Sequence, residues 1–137
     1  WMVGNWVDED ENATIETTCS WTPNQGFLRR AFKIAIQNRV DLAGLQVIGW
    51  DTDAEMFRSW IFDSAGGFAS DEWTKEGDRW IVKSAGVLFG GQKSSAVRII
   101  TPIDDDSFTL EAVDREVDGE LLPDIDKVTV VRQTPTK

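Results

Sequence analysis

Short runs rich in Val, Ile, Thr, Phe and Trp recur along this chain about every 10–14 residues, each closed by a Gly, Asp or Asn cluster. β-Branched and aromatic side chains fit a pleated, half-buried surface. The pattern is that of an all-β sandwich or barrel, and no long helix is needed to account for any part of it. Strands are expected near 2–8, 13–22, 27–37, 40–50, 55–63, 67–74, 79–88, 93–102, 107–117 and 126–133.

The links between these runs say how they are joined. Pro23-Asn24-Gln25-Gly26, Asp63-Ser64-Ala65-Gly66-Gly67, Lys75-Glu76-Gly77-Asp78 and Phe89-Gly90-Gly91-Gln92 each place glycine where a tight reversal needs positive φ. Asp51-Thr52-Asp53 and Asp104-Asp105-Asp106-Ser107 supply side chains that bond their own backbone. Links this short join antiparallel neighbours, because parallel strands need crossovers of about a dozen residues or more. An up-and-down meander of about ten strands follows. One longer link, Asp118 to Asp124, precedes the last strand and is long enough to carry it across to close the sheet on the first. The expected organisation is a single antiparallel β-barrel domain over 1–133, with a disordered tail at 134–137. In 27–37, Leu28, Ala31, Phe32, Ala35 and Ile36 also fit helical spacing. The β-branched Ile34 and Ile36 and the turn-like Gln37-Asn38-Arg39 favour the strand.

Alternation assigns faces. Ile15, Thr17, Cys19 and Trp21 form one inward set, Trp80, Val82, Ser84 and Gly86 another, and Phe108, Leu110 and Ala112 a third. These sets mix apolar bulk with Thr, Ser, Cys and Gly, which suits the lining of a partly hydrated cavity better than a solid core. An eight-stranded barrel just holds a small ligand and diameter grows with strand number, so ten strands should leave a void. Arg30 shares the inward phase with Leu28, Phe32 and Ile34. A buried guanidinium needs a partner, and a ligand carboxylate or an internal acid would serve. Arg58 can face either way, and Arg98 is expected to point outward with its stem along apolar surface.

Charge and composition remove other classes. The chain has 24 acidic side chains, 14 basic ones and no histidine, for a net charge of −10. Histidine-ligated metal or haem and imidazole-based triads are excluded. The acidic balance opposes binding to nucleic acid and to anionic lipid, and no apolar run is long enough to insert in a membrane as a helix. The lone Cys19 forms no internal disulfide. It is expected to be an inert buried thiol. The start at Trp1 suggests that an upstream signal peptide or domain has been trimmed. Localisation is otherwise unreadable, with export one option.

At the amino end Gly4-Asn5-Trp6 reads as Gly-x-Trp entering the first strand, and at the other end Val128-Thr129-Val130-Val131-Arg132 finishes the last strand with an arginine. This pair resembles the calycin signature of lipocalin-like and fatty-acid-binding barrels. The resemblance implies that Trp6 and Arg132 close one end of the barrel and do not touch ligand. The phrases Gly49-Trp50-Asp51, Arg58-Ser59-Trp60-Ile61-Phe62-Asp63-Ser64-Ala65-Gly66-Gly67-Phe68 and Gly77-Asp78-Arg79-Trp80 also resemble an uncharacterised bacterial lipocalin-like domain. That domain often follows a SnoaL-like domain of the NTF2 fold in exported proteins. The implied partners are an upstream NTF2-like domain or a second copy of the chain. The second and third lipocalin motifs are not recognisable, and the missing histidine excludes a nitrobindin-type haem.

Three functions compete. The leading one is binding of a small hydrophobic or acidic molecule inside the barrel, with no cofactor or metal, contacted by Trp21, Arg30, Phe32, Trp50, Arg58, Trp60, Phe62 and Trp80. The second is a carbohydrate- or protein-binding module using exposed tryptophans, marked by two or more coplanar rings on the outer surface. The third is an enzyme using carboxylates such as Asp114 and Glu116 or the run Asp104-Asp105-Asp106. Catalysis is not expected. Asp51-x-Asp53-x-Glu55 lacks the glycine and distant glutamate of an oxygen-donor calcium loop and reads as a turn.

Overall fold

In the computed structural model, residues 1–9, 13–37 and 39–133 are described, apart from the side chains of Glu9 and Val40. The expected tail at 134–137 and Asn38 of the expected hairpin tip lie outside them. Among the described residues eleven strands occur: β1 (Gly4–Glu9), β2 (Ala13–Trp21), β3 (Leu28–Ile36), β4 (Arg39–Asp51), β5 (Met56–Asp63), β6 (Phe68–Glu76), β7 (Arg79–Val87), β8 (Lys93–Asp104), β9 (Ser107–Val117), β10 (Glu120–Leu121) and β11 (Ile125–Arg132). Each of β1 to β9 pairs antiparallel with the next, β9 pairs with β11, and β11 returns to pair with β1. The result is a closed ten-strand antiparallel barrel plus one extra strand.

The link before the last strand carries the extra piece. Leu121 sits opposite Glu116, so β10 continues the sheet along the stretch of β9 that β11 does not reach. The segment with competing helical spacing is a strand, because all nine residues of β3 pair with both β2 and β4. Extended pairing on both sides gives this segment ladder partners on β2 and β4, with one register shift against β4 between Ile34 and Ala35, and a helix there would leave both neighbouring strands without a partner.

One end of the barrel is closed by residues from both chain ends. Trp6 lies opposite Arg132 in the β1–β11 register, and the Arg132 guanidinium stacks 4.3 Å from the Trp6 ring centroid. Arg132 donates to the carbonyls of Trp1, Val3 and Asp105, while the Trp6 indole donates to the Met2 carbonyl. Gly4 has φ +127°, and a Cβ there would run into the Arg132 guanidinium. This is the physical reason for glycine two residues before the tryptophan.

The apolar core fills this closed half. Cys19, Leu28, Ile48, Trp73, Val82 and Ile100 are buried together, with Met2, Trp80, Phe108 and Leu110 packed on them. Phe108 meets both Trp1 and Trp6 edge-on, at 5.4 and 5.0 Å between ring centroids. Burial of each large side chain contributes about 1.5–3 kcal/mol. The far half differs: inward Ile15, Ile34, Leu42 and Ile61 are only half-buried.

Candidate functional site

Between the apolar half and the far half lies a polar layer inside the barrel. Register sets it up. Arg30 on β3 stands between Cys19 on β2 and Gln46 on β4. Ser59 on β5 is opposite Asp71 on β6, Asp71 is opposite Ser84 on β7, and Ser84 is opposite Ala96 on β8. Arg98, two residues further along β8, lies between the buried Val82 and Ala112.

The side chains form one connected network. Arg30 donates from Nε to Gln46 Oε1 at 2.7 Å and makes a longer contact to Thr17 Oγ1 at 3.4 Å. With its Oε1 so used, the Gln46 amide turns its Nε2 to Ser59 Oγ and to Asp71 Oδ2, at 3.0 and 3.1 Å. Ser59 donates to Asp71 Oδ2 at 2.6 Å and accepts from Trp73 Nε1 at 2.9 Å. Gln46, Ser59 and Asp71 are buried, Ser59 and Asp71 completely.

Asp71 Oδ1 is the exception. It is buried and has no hydrogen-bond partner. The nearest cation is Arg98 Nη1 at 3.9 Å, too far for a hydrogen bond. Although Arg98 lies on the inner face, its side chain is 38 % exposed. Two guanidiniums against one carboxylate give the layer a charge of 2 − 1 = +1. Burial pushes the Arg30 guanidinium down to about 10, so it remains charged at neutral pH. Burial pushes the Cys19 thiol up, with Arg30 pulling weakly the other way. Cys19 is therefore a neutral thiol at neutral pH.

The residues singled out from sequence divide by face. Arg30 and Phe32 face inward, the Phe32 ring lying in the space left by Gly44 and 4.6 Å beneath the Arg30 guanidinium. Trp80 is inward but belongs to the closed half, edge-on to Phe57 and Trp73. Trp21 and Trp50 have the inward phase at strand ends and are 56 % and 52 % exposed at the rim of the closed half. Arg58, Trp60 and Phe62 are corrected: they alternate with the interior Ser59 and stand on the outside of β5. Arg58 pairs there with Asp51 at 3.5 Å, and its guanidinium lies 5.9 Å from the Trp60 ring centroid. Phe62, opposite Leu45 and Phe68, joins them in an exposed apolar row.

Arg98 is also corrected, from outside to inside. Gln46, Ser59, Asp71 and Trp73 were not singled out at all. The signal for Asp71 was present, since alternation puts it in phase with Ala69 and Trp73 and opposite to Ser70 and Glu72. Arg98 carried no such signal, because its flanks Val97 and Ile99 and its own phase partners Ala96 and Ile100 are equally apolar.

The carboxylates named for catalysis are outside the hydrogen-bonded network. Asp114 and Glu116 line a cleft of about 400 Å³ at β7–β9 with Lys83, Ser95, Val97 and Leu121, and the cleft also touches Ser84 and Ala96 of the polar layer. Asp104 is a turn residue: its Oδ1 accepts from the backbone N–H of Asp106 and the Ser107 hydroxyl. Asp51 Oδ1 likewise accepts from the backbone N–H groups of Asp53 and Ala54. Among the described residues no group of three or more Cys, Asp or Glu is placed to hold a metal ion. The chain matches no protein-family model and no curated protein.

Proposed function

We propose that this barrel binds a small, mainly apolar molecule in the half of its interior away from Trp6 and Arg132, with the polar layer as the floor of the site. The carrying observation is the contrast along single inner rows. On β3 the row runs from Leu28, buried in the closed half, to Ile34, half-buried in the far half. On other strands the inner row of the far half carries small residues, Ala69, Gly86 and Ala96. Large apolar side chains that face inward yet meet solvent support this reading, because ligand sites are lined mainly by apolar side chains. The Trp6–Arg132 closure supports the lipocalin-like reading of the same architecture.

Of the two interior guanidiniums, Arg98 is the one open to a polar group of a ligand, in place of the Arg30 expected from sequence. Arg30 is held by Gln46 and covered by Phe32, whereas Arg98 is half-exposed and only loosely engaged by Asp71. The sugar-platform alternative gains no support from the ring pairs, all of which are edge-to-face.

The test is titration with Nile red, a neutral dye whose emission shifts in apolar surroundings. Saturable binding at one dye per chain is expected. Ala96→Phe, which fills the far half, should abolish it, and Phe62→Ser on the outer wall should leave it intact. The opposite pattern would move the site to the outside of the barrel.

A further inference from the structure

We infer that the outer wall of β4–β6 is a docking surface for an acidic, amphipathic segment of a partner protein. The solvent face of an antiparallel sheet normally carries polar side chains. Here the register lines up Leu45, Phe62, Phe68 and Val87 across β4 to β7, with Val47 and Trp60 in the row beside them. Phe62 and Phe68 are each 53 % exposed, and the exposed Phe89 lies beside Gly66 in the turn that joins their strands. Leu45, Trp60, Phe62, Phe68 and Phe89 together leave roughly 500 Å² of apolar surface open, a size at which patches on monomers often serve association.

Charge says what covers it. On β3 to β7 the rows bordering the apolar one carry Arg29, Lys33, Arg58 and Lys83 against Glu72, a local balance of 4 − 1 = +3 on a chain of −10. Arg58 shares its charge with Asp51, whereas Arg29, Lys33 and Lys83 form no ion pair among the described residues. An apolar strip bordered by unpaired cations complements a segment that is apolar on one face and acidic along its flanks. A second copy fits poorly, because a two-fold contact sets the same patch and its cations against themselves, and the strip falls short of the about 800 Å² per partner of a stable dimer. A bilayer or a single-stranded nucleic acid spreads its negative charge beyond the strip and would press on the acidic turn Asp51-Thr52-Asp53-Ala54-Glu55 at one end of the wall. A short segment seated within the strip avoids that turn.

The experiment is fluorescence anisotropy of a labelled helical peptide of about 15 residues built from Leu, Ala and Glu, with leucine at i, i+3, i+4 and i+7. Saturable one-to-one binding is expected, weakened several-fold at about 0.5 M salt. The same peptide with Lys in place of Glu should bind at least about tenfold more weakly. The double variant Phe62→Ser, Phe68→Ser should lose at least about tenfold in affinity for the acidic peptide, and so should Arg29→Glu, Lys83→Glu. All four side chains are exposed, so both variants should keep the urea midpoint of the parent. Absence of saturable binding, equal binding of the two peptides, or unchanged affinity in either folded double variant overturns the proposal. If a variant does not fold, the comparison of the two peptides on the parent protein decides. Tighter binding to oligo(dT) or to vesicles of equal phosphatidylcholine and phosphatidylserine than to the peptide, or a dimer that Phe62→Ser dissolves, overturns it in favour of those occupants. Binding of Nile red inside the barrel is independent of each of these results.

Discussion

The Arg132 guanidinium lies over the Trp6 ring and at the same time donates to the carbonyl of Val3, tying the last strand to the chain segment before the first. Its bonds to Trp1 and Asp105 extend the tie across the closed end. Arg132→Met keeps the stem and removes the stacked charge and every donor. It should cost about 1–3 kcal/mol of unfolding free energy in urea. A change below about 0.5 kcal/mol would mean that the strand pairing alone closes the barrel.

Gly4→Ala tests the same corner from the other side. The new methyl meets the Arg132 guanidinium, and the backbone is held at φ +127°, where side chains rarely go. Destabilisation of about 1–3 kcal/mol is expected. In the background of Arg132→Met the steric part should disappear, so the two changes should cost less together than their sum.

Ser59 is the hub of the interior layer, accepting from Trp73 and Gln46 and donating to Asp71. Ser59→Ala leaves the indole N–H without its acceptor in a buried place. A loss of about 2–4 kcal/mol is expected, with a shift of tryptophan emission, because the indole loses its hydrogen-bond partner. Unchanged emission in the folded variant would argue against the Trp73–Ser59 bond.

Cys19 combines burial with a thiol pushed up from its ordinary range. At pH 8 it should react with Ellman's reagent at least about a hundredfold more slowly in the folded protein than in urea. Rapid reaction without denaturant would show that the interior opens at β2.

Asp51 and Asp104 are held below the usual carboxylate range, Asp51 chiefly by the Ala54 backbone N–H and Asp104 chiefly by that of Asp106. A carboxyl depressed in the fold takes up its proton first in the unfolded chain. Its stabilisation is therefore present above the ordinary carboxylate range and is lost as pH falls through and below about 4. The urea midpoint should drop between about pH 5 and pH 3, and less steeply in the double variant Asp51→Asn, Asp104→Asn. Parallel profiles would place the acid sensitivity elsewhere.

The period of two along the chain, with glycine and aspartate turns between runs, determined the strands, their antiparallel order and the inward phase wherever one face was polar, as at Cys19, Arg30, Val82 and Ala112. The closure residues were legible only through resemblance, since Gly4-Asn5-Trp6 and the final Arg132 are similar to the calycin signature, and the β1–β11 register puts Trp6 opposite Arg132. Alternation is silent where both phases are apolar, as on β5: its register with both neighbours, Ser59 against Ile48 and Asp71, puts Trp60 and Phe62 outside. The meeting of Arg98 with Asp71 was likewise decided by tertiary structure alone. The two residues are on strands that are not neighbours, and curvature of the whole barrel brings their side chains to within 3.9 Å across its interior.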